Sequence, residues 1–191
     1  EGRRIRKLEG WVYWAAGAYA AAAALFHLYT AGYGTLEPRL QRSVHLLFLI
    51  PLVFVAFPFN ARSPRTRPSA FDWAWAALTA VGSLYLIWEA DRLNHRWEGA
   101  SPVLPIEVVI GSFMVVLVIE ACRRSLSPWM AVTICVSLVY LGTSQWIPGL
   151  FNFKGYAFPR MVEFVYLAGD EGMYGFLTGI VVTTGPITAP I

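Results

Sequence analysis

Charge is what this sequence has least of. Only 14% of its 191 residues are Asp, Glu, Lys or Arg, against about 25% in soluble domains. Cysteine is nearly absent: Cys122 and Cys135 are the two, both near or inside apolar segments, which excludes a disulfide scaffold or a cysteine metal framework. No Gly-rich phosphate loop, nucleophile–base pair or Cys/His cluster occurs, so no reaction class has its residues. The expectation is a protein that is not an enzyme, with no catalytic, cofactor-binding or metal site and no cofactor. The net charge of +3 and pI of about 9.0 do not make a nucleic-acid binder. The basic residues fall in short clusters between apolar runs, the pattern of membrane topology signals.

Apolar residues make up 57% of the chain, with eight Trp, nine Tyr and twelve Phe, and the mean hydropathy is +0.51. These values exclude a disordered chain and point to a polytopic membrane protein. Five apolar stretches stand out: Gly10–Ala31, Val44–Pro58, Ala70–Trp88, Pro105–Ile119 and Trp129–Ile147. A spanning helix needs about 20 residues. The second and fourth stretches are short unless their flanks contribute, with Arg42 and Arg123 snorkelling to the interface. The expected fold is all-α, with four to five spanning helices and a C-terminal interfacial amphipathic helix. In that reading 1–9 is a basic cytoplasmic N-terminus and 10–127 a four-helix membrane domain. A linking fifth span occupies 128–155, and an arm helix with an incomplete or remnant tail occupies 156–191.

Orientation follows from the cationic residues in alternate connections. One side holds nine: Arg3, Arg4, Arg6, Lys7, Arg62, Arg65, Arg67, Arg123 and Arg124. The other holds six: Arg39, Arg42, Arg92, Arg96, Lys154 and Arg160. The richer side carries the N-terminus, which is therefore expected in the cytoplasm. Within Tyr156–Ala168, the residues Phe158, Met161, Val162 and Val165 share one helical face, the pattern of a short helix lying at the interface or against a partner. Pro159 suits its first turn. The stretch Tyr174–Ile191 is weakly apolar and interrupted by Gly185, Pro186 and Pro190.

Every ionisable Asp, Glu, Lys and Arg lies in a connection or close to a predicted helix end. Asp72 and Glu107 begin the third and fourth stretches, where a helix N-terminus favours negative charge. Glu89 is spaced to pair with Arg92, and Glu120 with Arg123 or Arg124. For Glu120 this predicts a surface-type pair, worth up to about 1 kcal/mol. A charge at mid-bilayer marks an ion path or proton relay; the absence of one argues against a pump or channel.

His27 follows Gly10 by 17 positions, about 25 Å of helix, which brings it to the same side as His45. A metal pair is conceivable there, but no third ligand has a sensible spacing, and structural or interfacial roles are the plainer reading. Ala23-x-x-x-His27 also matches a small-residue-plus-His arrangement that admits a tetrapyrrole, although an alanine run makes that match cheap. His95 is read as a solvated loop residue. Ala16, Ala20 and Ala24, with Gly17 and Ala21, form small-residue faces that suit close helix packing, an intrachain contact more readily than a subunit contact. Trp11, Trp14, Trp73, Trp75, Trp88, Trp97, Trp129 and Trp146 gather near span ends as an interfacial belt.

The order of elements resembles the small membrane component of tripartite ATP-independent periplasmic (TRAP) transporters, closest to the form fused to the large component in the TAXI subtype. The resemblance rests on RSVHLLFLIPLVFVAFP (42–58), SAFDWAWAALTAVGSLYLIWEADRL (69–93), PIEVVIGSFMVVLVIEACRR (105–124) and WIPGLFNFKGYAFPRMVEFVYLAGDEGMYG (146–175). It implies a scaffold or stator subunit in the bacterial inner membrane. The implied partners are a large permease subunit or domain and a periplasmic binding protein that delivers organic anions such as carboxylates, with uptake driven by sodium or proton gradients. Membrane lipid is a further expected partner. The family's transport site lies in the large component, so none of its functional residues transfers to this chain. The Thr- and Pro-rich tail departs from the fused family, which implies a partial chain or a remnant recruited as an accessory subunit of another membrane complex, a photosynthetic or other energy-transducing assembly for instance.

Overall fold

The computed structural model describes residues 5–34, 36–60, 63–149, 152, 154–169 and 172–174. Its elements are α1 (Trp11–Tyr33), α2 (Pro38–Ala56), α3 (Ala70–Trp88), the short α4 (Ala90–Asn94), α5 (Pro105–Ser125), α6 (Pro128–Thr143) and α7 (Phe158–Val162). A single 3-10 turn follows α6, α7 runs on as a π turn over Glu163–Leu167, and a second 3-10 turn covers Gly172–Tyr174. The described residues contain no strand. Three helices, α2, α3 and α5, are both long and apolar enough to cross a membrane. The α6 helix has 16 residues, short of a full span, so the expected fifth span is not formed as one continuous helix.

Local chemistry sets the helix ends. Glu37 caps α2 by accepting from the Arg39 and Leu40 amides, and Pro38 suits a first helical position because it has no amide to leave unpaired. This start lies well upstream of Val44 and gives the second stretch its missing length. At α3 the Ser69 hydroxyl accepts from the Asp72 amide at 3.3 Å while the Ser69 amide donates to Asp72 Oδ2 at 3.0 Å, a reciprocal cap. Glu107 Oε2 accepts from the Leu104 amide at 2.8 Å to begin α5. That helix continues to Ser125, so the fourth stretch also gains its length from charged flanks.

The tightest packing is between α2 and α3. Phe54, Leu86, Met114 and Tyr166 are almost completely buried, and with Ile50, Leu93, Leu117 and Leu167 they form the core. Large apolar side chains also cover the outside, among them Leu25 and Leu28 on α1, Phe113 and Val116 on α5, and Val136 and Val139 on α6. A bundle that is apolar both inside and outside fits a bilayer rather than water. Hydroxyls on α6 satisfy themselves within the helix: Thr133, Ser137 and Thr143 donate to Trp129, Thr133 and Val139 carbonyls at 3.0, 2.9 and 2.8 Å. Such bonding removes the cost of a bare hydroxyl in an apolar setting.

The arm packs into the bundle by part of its surface. Its buried side chains are Val162, Glu163, Tyr166 and Leu167, while Phe158 is 60% exposed. Glycine in α5 makes room for it: a Cβ at Gly111 would lie 2.8 Å from Tyr166 Cδ1. The Tyr166 hydroxyl reaches past α5 and donates to the Gly82 carbonyl of α3 at 2.8 Å. The arm is a wedge in the bundle, and of the face that holds Phe158, Met161, Val162 and Val165 only Val162 is buried. The stretch from Gly175 to Ile191 lies outside the described residues.

Candidate functional site

The charged residues gather at the two ends of the bundle, and many are buried there. At the N-terminal end Arg6 and Arg124, each with a fully buried side chain, grip Asp72 at 2.5 and 2.6 Å. Arg6 also donates to the Phe54 and Val55 carbonyls at 3.2 and 3.1 Å, capping the end of α2. Arg124 extends to Glu120 at 2.7 Å, and Arg123 bonds the same carboxylate twice, at 2.7 Å each. The Arg124 guanidinium lies 4.9 Å from the Phe54 ring centre and 5.8 Å from that of Trp75, geometry suited to cation–π attraction. Trp75 is thus part of this packing, against Phe54 at 5.6 Å, and not of the interfacial belt. Glu120 is more than a surface pair, since it holds one side of a buried arginine.

The opposite end carries a second network. Arg92 pairs with Glu89 and with the fully buried Glu107. The hydrogen bonds that Arg92 donates to Glu107 and then to Glu89 raise its pKa above its ordinary value. Arg96 meets Glu163 at 2.6 Å, and Arg160 bonds the other oxygen of that carboxylate. Arg39 donates to Asn94 Oδ1 at 2.8 Å, to Glu98 at 2.9 Å and to the Leu167 carbonyl. Arg42 donates to the Gly169 carbonyl at 2.5 Å. The arm is therefore tied to α2, to the segment after α4 and to α5 by ionic and apolar contacts together. The sequence spacing shows the pairs of Glu89 with Arg92 and of Glu120 with Arg123 and Arg124; the i,i+3 pair Arg160–Glu163 was missed, and the pairs from Arg6, Arg39 and Arg96 to remote residues carry no sequence signal.

The two histidines do meet. His45 Nδ1 lies 3.0 Å from His27 Nε2, with His45 only 8% exposed. One turn away, Gln41 Nε2 donates to Thr30 Oγ1 at 3.1 Å, so α1 is fastened to α2 by side-chain hydrogen bonds near its C-terminal end. His27 Nδ1 is buried with no partner. His27 Nε2, the nitrogen beside His45, is occupied by that contact. Among the described residues no group of three or more His, Cys, Asp or Glu is placed to hold a metal. His95 is exposed, with Nδ1 2.8 Å from the Asp91 carbonyl oxygen.

Helix α1 is the least covered element. Val12, Ala23 and Thr30 are its only buried residues. Gly17, Ala20, Ala21 and Ala24 are all exposed, so the small-residue faces do not make the expected intrachain contact. Trp11, Trp14, Trp88, Trp97, Trp129 and Trp146 are 66–87% exposed at the helix ends, as an interfacial belt requires. Between α1, α2 and α3 lies an apolar groove of about 390 Å³, lined by Ala15, Ala16, Tyr19, Pro51, Leu52 and Ala77 among others.

The arrangement offers ionic ends, apolar walls and a sparsely covered α1. Compared with known proteins, the chain matches no family model, no curated protein and no solved structure.

Proposed function

We propose that this chain is the scaffold, or stator, small membrane subunit of a TRAP-type secondary transporter in the bacterial inner membrane, with its N-terminus in the cytoplasm. The observation that carries the reading is the separation of charge from bilayer depth: the charged residues sit at the bundle ends, the buried ones paired in networks, while the uncovered length of α1 and α5 is apolar. A translocating site places ionisable or unwound backbone groups near the midplane; a scaffold needs rigid ends and an apolar flank. The bare small-residue faces of α1 suit a docking helix of a larger permease. In this reading the large subunit and a periplasmic binding protein supply organic-anion recognition and the coupling-ion site.

Affinity purification of the native chain from mildly solubilised membranes tests the reading. Recovery of a large permease subunit or domain in stoichiometric amount is the expected result. Recovery with unrelated membrane subunits and no permease overturns it.

A second reading is an accessory subunit of a different membrane assembly. It is favoured by the same exposed Gly17, Ala20, Ala21 and Ala24 surface, which calls for a close-packed neighbour of any kind. A visible or near-infrared absorption band in the purified assembly, lost in His27→Leu, would select it over the transporter.

A further inference from the structure

We propose that the groove between α1, α2 and α3 is a binding site for one anionic glycerophospholipid, with an acyl chain in the groove and the headgroup phosphate against Lys7, Arg65 and Arg67. The inference requires only that the bundle is membrane-embedded and is independent of the transporter reading.

The groove's shape and lining select the chain. Its volume of about 390 Å³ lies within the usual range for small-molecule sites. Alanines on α1 and α3 leave the space, and Pro51 and Leu52 form the α2 wall. The Tyr19 hydroxyl already donates to the Leu47 carbonyl at 2.8 Å. A sugar, nucleotide or polar metabolite would therefore lose its hydration without compensation. An alkyl chain loses nothing. Trp11 and Trp73 stack beside the groove with ring centres 6.2 Å apart and planes 9° from parallel, the depth at which indoles meet headgroups.

Charge at this end selects the headgroup. Asp72 and Glu120 are consumed by Arg6, Arg123 and Arg124. The Arg6 amide donates to the Ala56 carbonyl at 2.8 Å and the Glu9 amide to the Thr66 carbonyl at 3.3 Å. These bonds lay the segment 5–9 along the α2–α3 connection and bring Lys7 to the end that carries Arg65 and Arg67. All three cations are exposed, and none has an ion-pair partner among the described residues. Glu9, also exposed there, offsets only one of them. A zwitterionic headgroup adds no net charge against this excess, whereas phosphatidylglycerol, with one net negative charge, offsets part of it.

Native mass spectrometry of the full chain in detergent, titrated with dioleoyl phosphatidylglycerol or dioleoyl phosphatidylcholine, tests the proposal. The expected result is a one-to-one phosphatidylglycerol adduct that persists at about tenfold lower lipid concentration than the phosphatidylcholine adduct. The triple variant K7Q/R65Q/R67Q should erase that preference with circular dichroism unchanged. Ala77→Leu, which fills the groove, should weaken both adducts. Phosphatidylglycerol with a brominated acyl chain should quench Trp fluorescence, and less so in Trp73→Phe, a readout that does not depend on the groove-filling variant folding. Equal retention of the two lipids by the parent chain overturns the headgroup assignment. Quenching unchanged by Trp73→Phe, or adducts unchanged in a folded Ala77→Leu, overturns the groove.

Discussion

The Tyr19 hydroxyl of α1 donates to the Leu47 carbonyl of α2, the carbonyl that Pro51 leaves without its helical partner. In a regular helix the residue 51 amide would bond the residue 47 carbonyl, and proline has no such amide. A freed carbonyl is tolerable in an apolar setting only if another group satisfies it. Here a neighbouring helix does so, and the bond helps to hold α1 against an otherwise thin contact.

This relationship is testable by a double-mutant cycle. Tyr19→Phe should cost about 1 kcal/mol by leaving the carbonyl bare. In a Pro51→Ala background, where the helix supplies its own amide, the same change should cost markedly less. Unfolding in mixed micelles would measure both; strictly additive losses would contradict the assignment.

The buried carboxylate of the N-terminal end predicts a larger loss. Asp72→Ala leaves Arg6 and Arg124, both with fully buried side chains, without their shared partner, and should cost about 3–5 kcal/mol. Glu120→Ala should fall between that loss and the ~1 kcal/mol of a surface pair, because Arg124 keeps Asp72. Thermal unfolding in detergent ranks the two variants; the reverse order would show that Glu120 is the main partner of Arg124.

Glycine substitutions separate packing from propensity. At Gly111 a Cβ would press on the Tyr166 ring, so Gly111→Ala should destabilise by about 1–3 kcal/mol and expose the arm to protease. At Gly17 nothing lies within 4 Å, so Gly17→Ala should be neutral or stabilise by about 0.5–1 kcal/mol through helix propensity. Limited proteolysis with thermal unfolding reads both effects.

The arm's ionic anchor gives a fourth contrast. Glu163→Ala strips Arg96 of its carboxylate, with side chains 7% and 5% exposed in the pair, and should cost about 3–5 kcal/mol. Phe158→Ala, at a 60% exposed side chain, should stay within about 0.5 kcal/mol in detergent. Amide hydrogen exchange across 158–167 should rise in the first variant and not in the second.

Much of the architecture was legible in the sequence. Long apolar stretches broken by charged connections announced membrane-type helices, and the placement of Asp72 and Glu107 at two helix starts was correct because a capping carboxylate leaves a local signature. The second stretch looked short because Arg39, Gln41 and Arg42 read as connection, and the fourth because Glu120, Arg123 and Arg124 did, although α5 runs on to Ser125. Arg39, Gln41 and Arg42 are helical because Glu37 and Pro38 open α2 ahead of them. Trp11, Trp14, Trp88, Trp97, Trp129 and Trp146 are exposed at helix ends, whereas Trp75 sits on Phe54 and Arg124.

By itself the sequence determined where apolar helices form, that charge stays at their ends, and which near neighbours along a helix pair. Those properties depend on contacts a few residues apart. Only the tertiary structure decided which face each helix buries, that Tyr166 rather than Phe158 enters the bundle, that Arg6 crosses to Asp72, and that α1 stands nearly bare beside a groove. The physical reason is that lipid-facing and protein-facing side chains are equally apolar, so periodicity loses its power to tell inside from outside. A buried arginine is also written with the same letter as a solvated one, and only the position of a remote carboxylate distinguishes them.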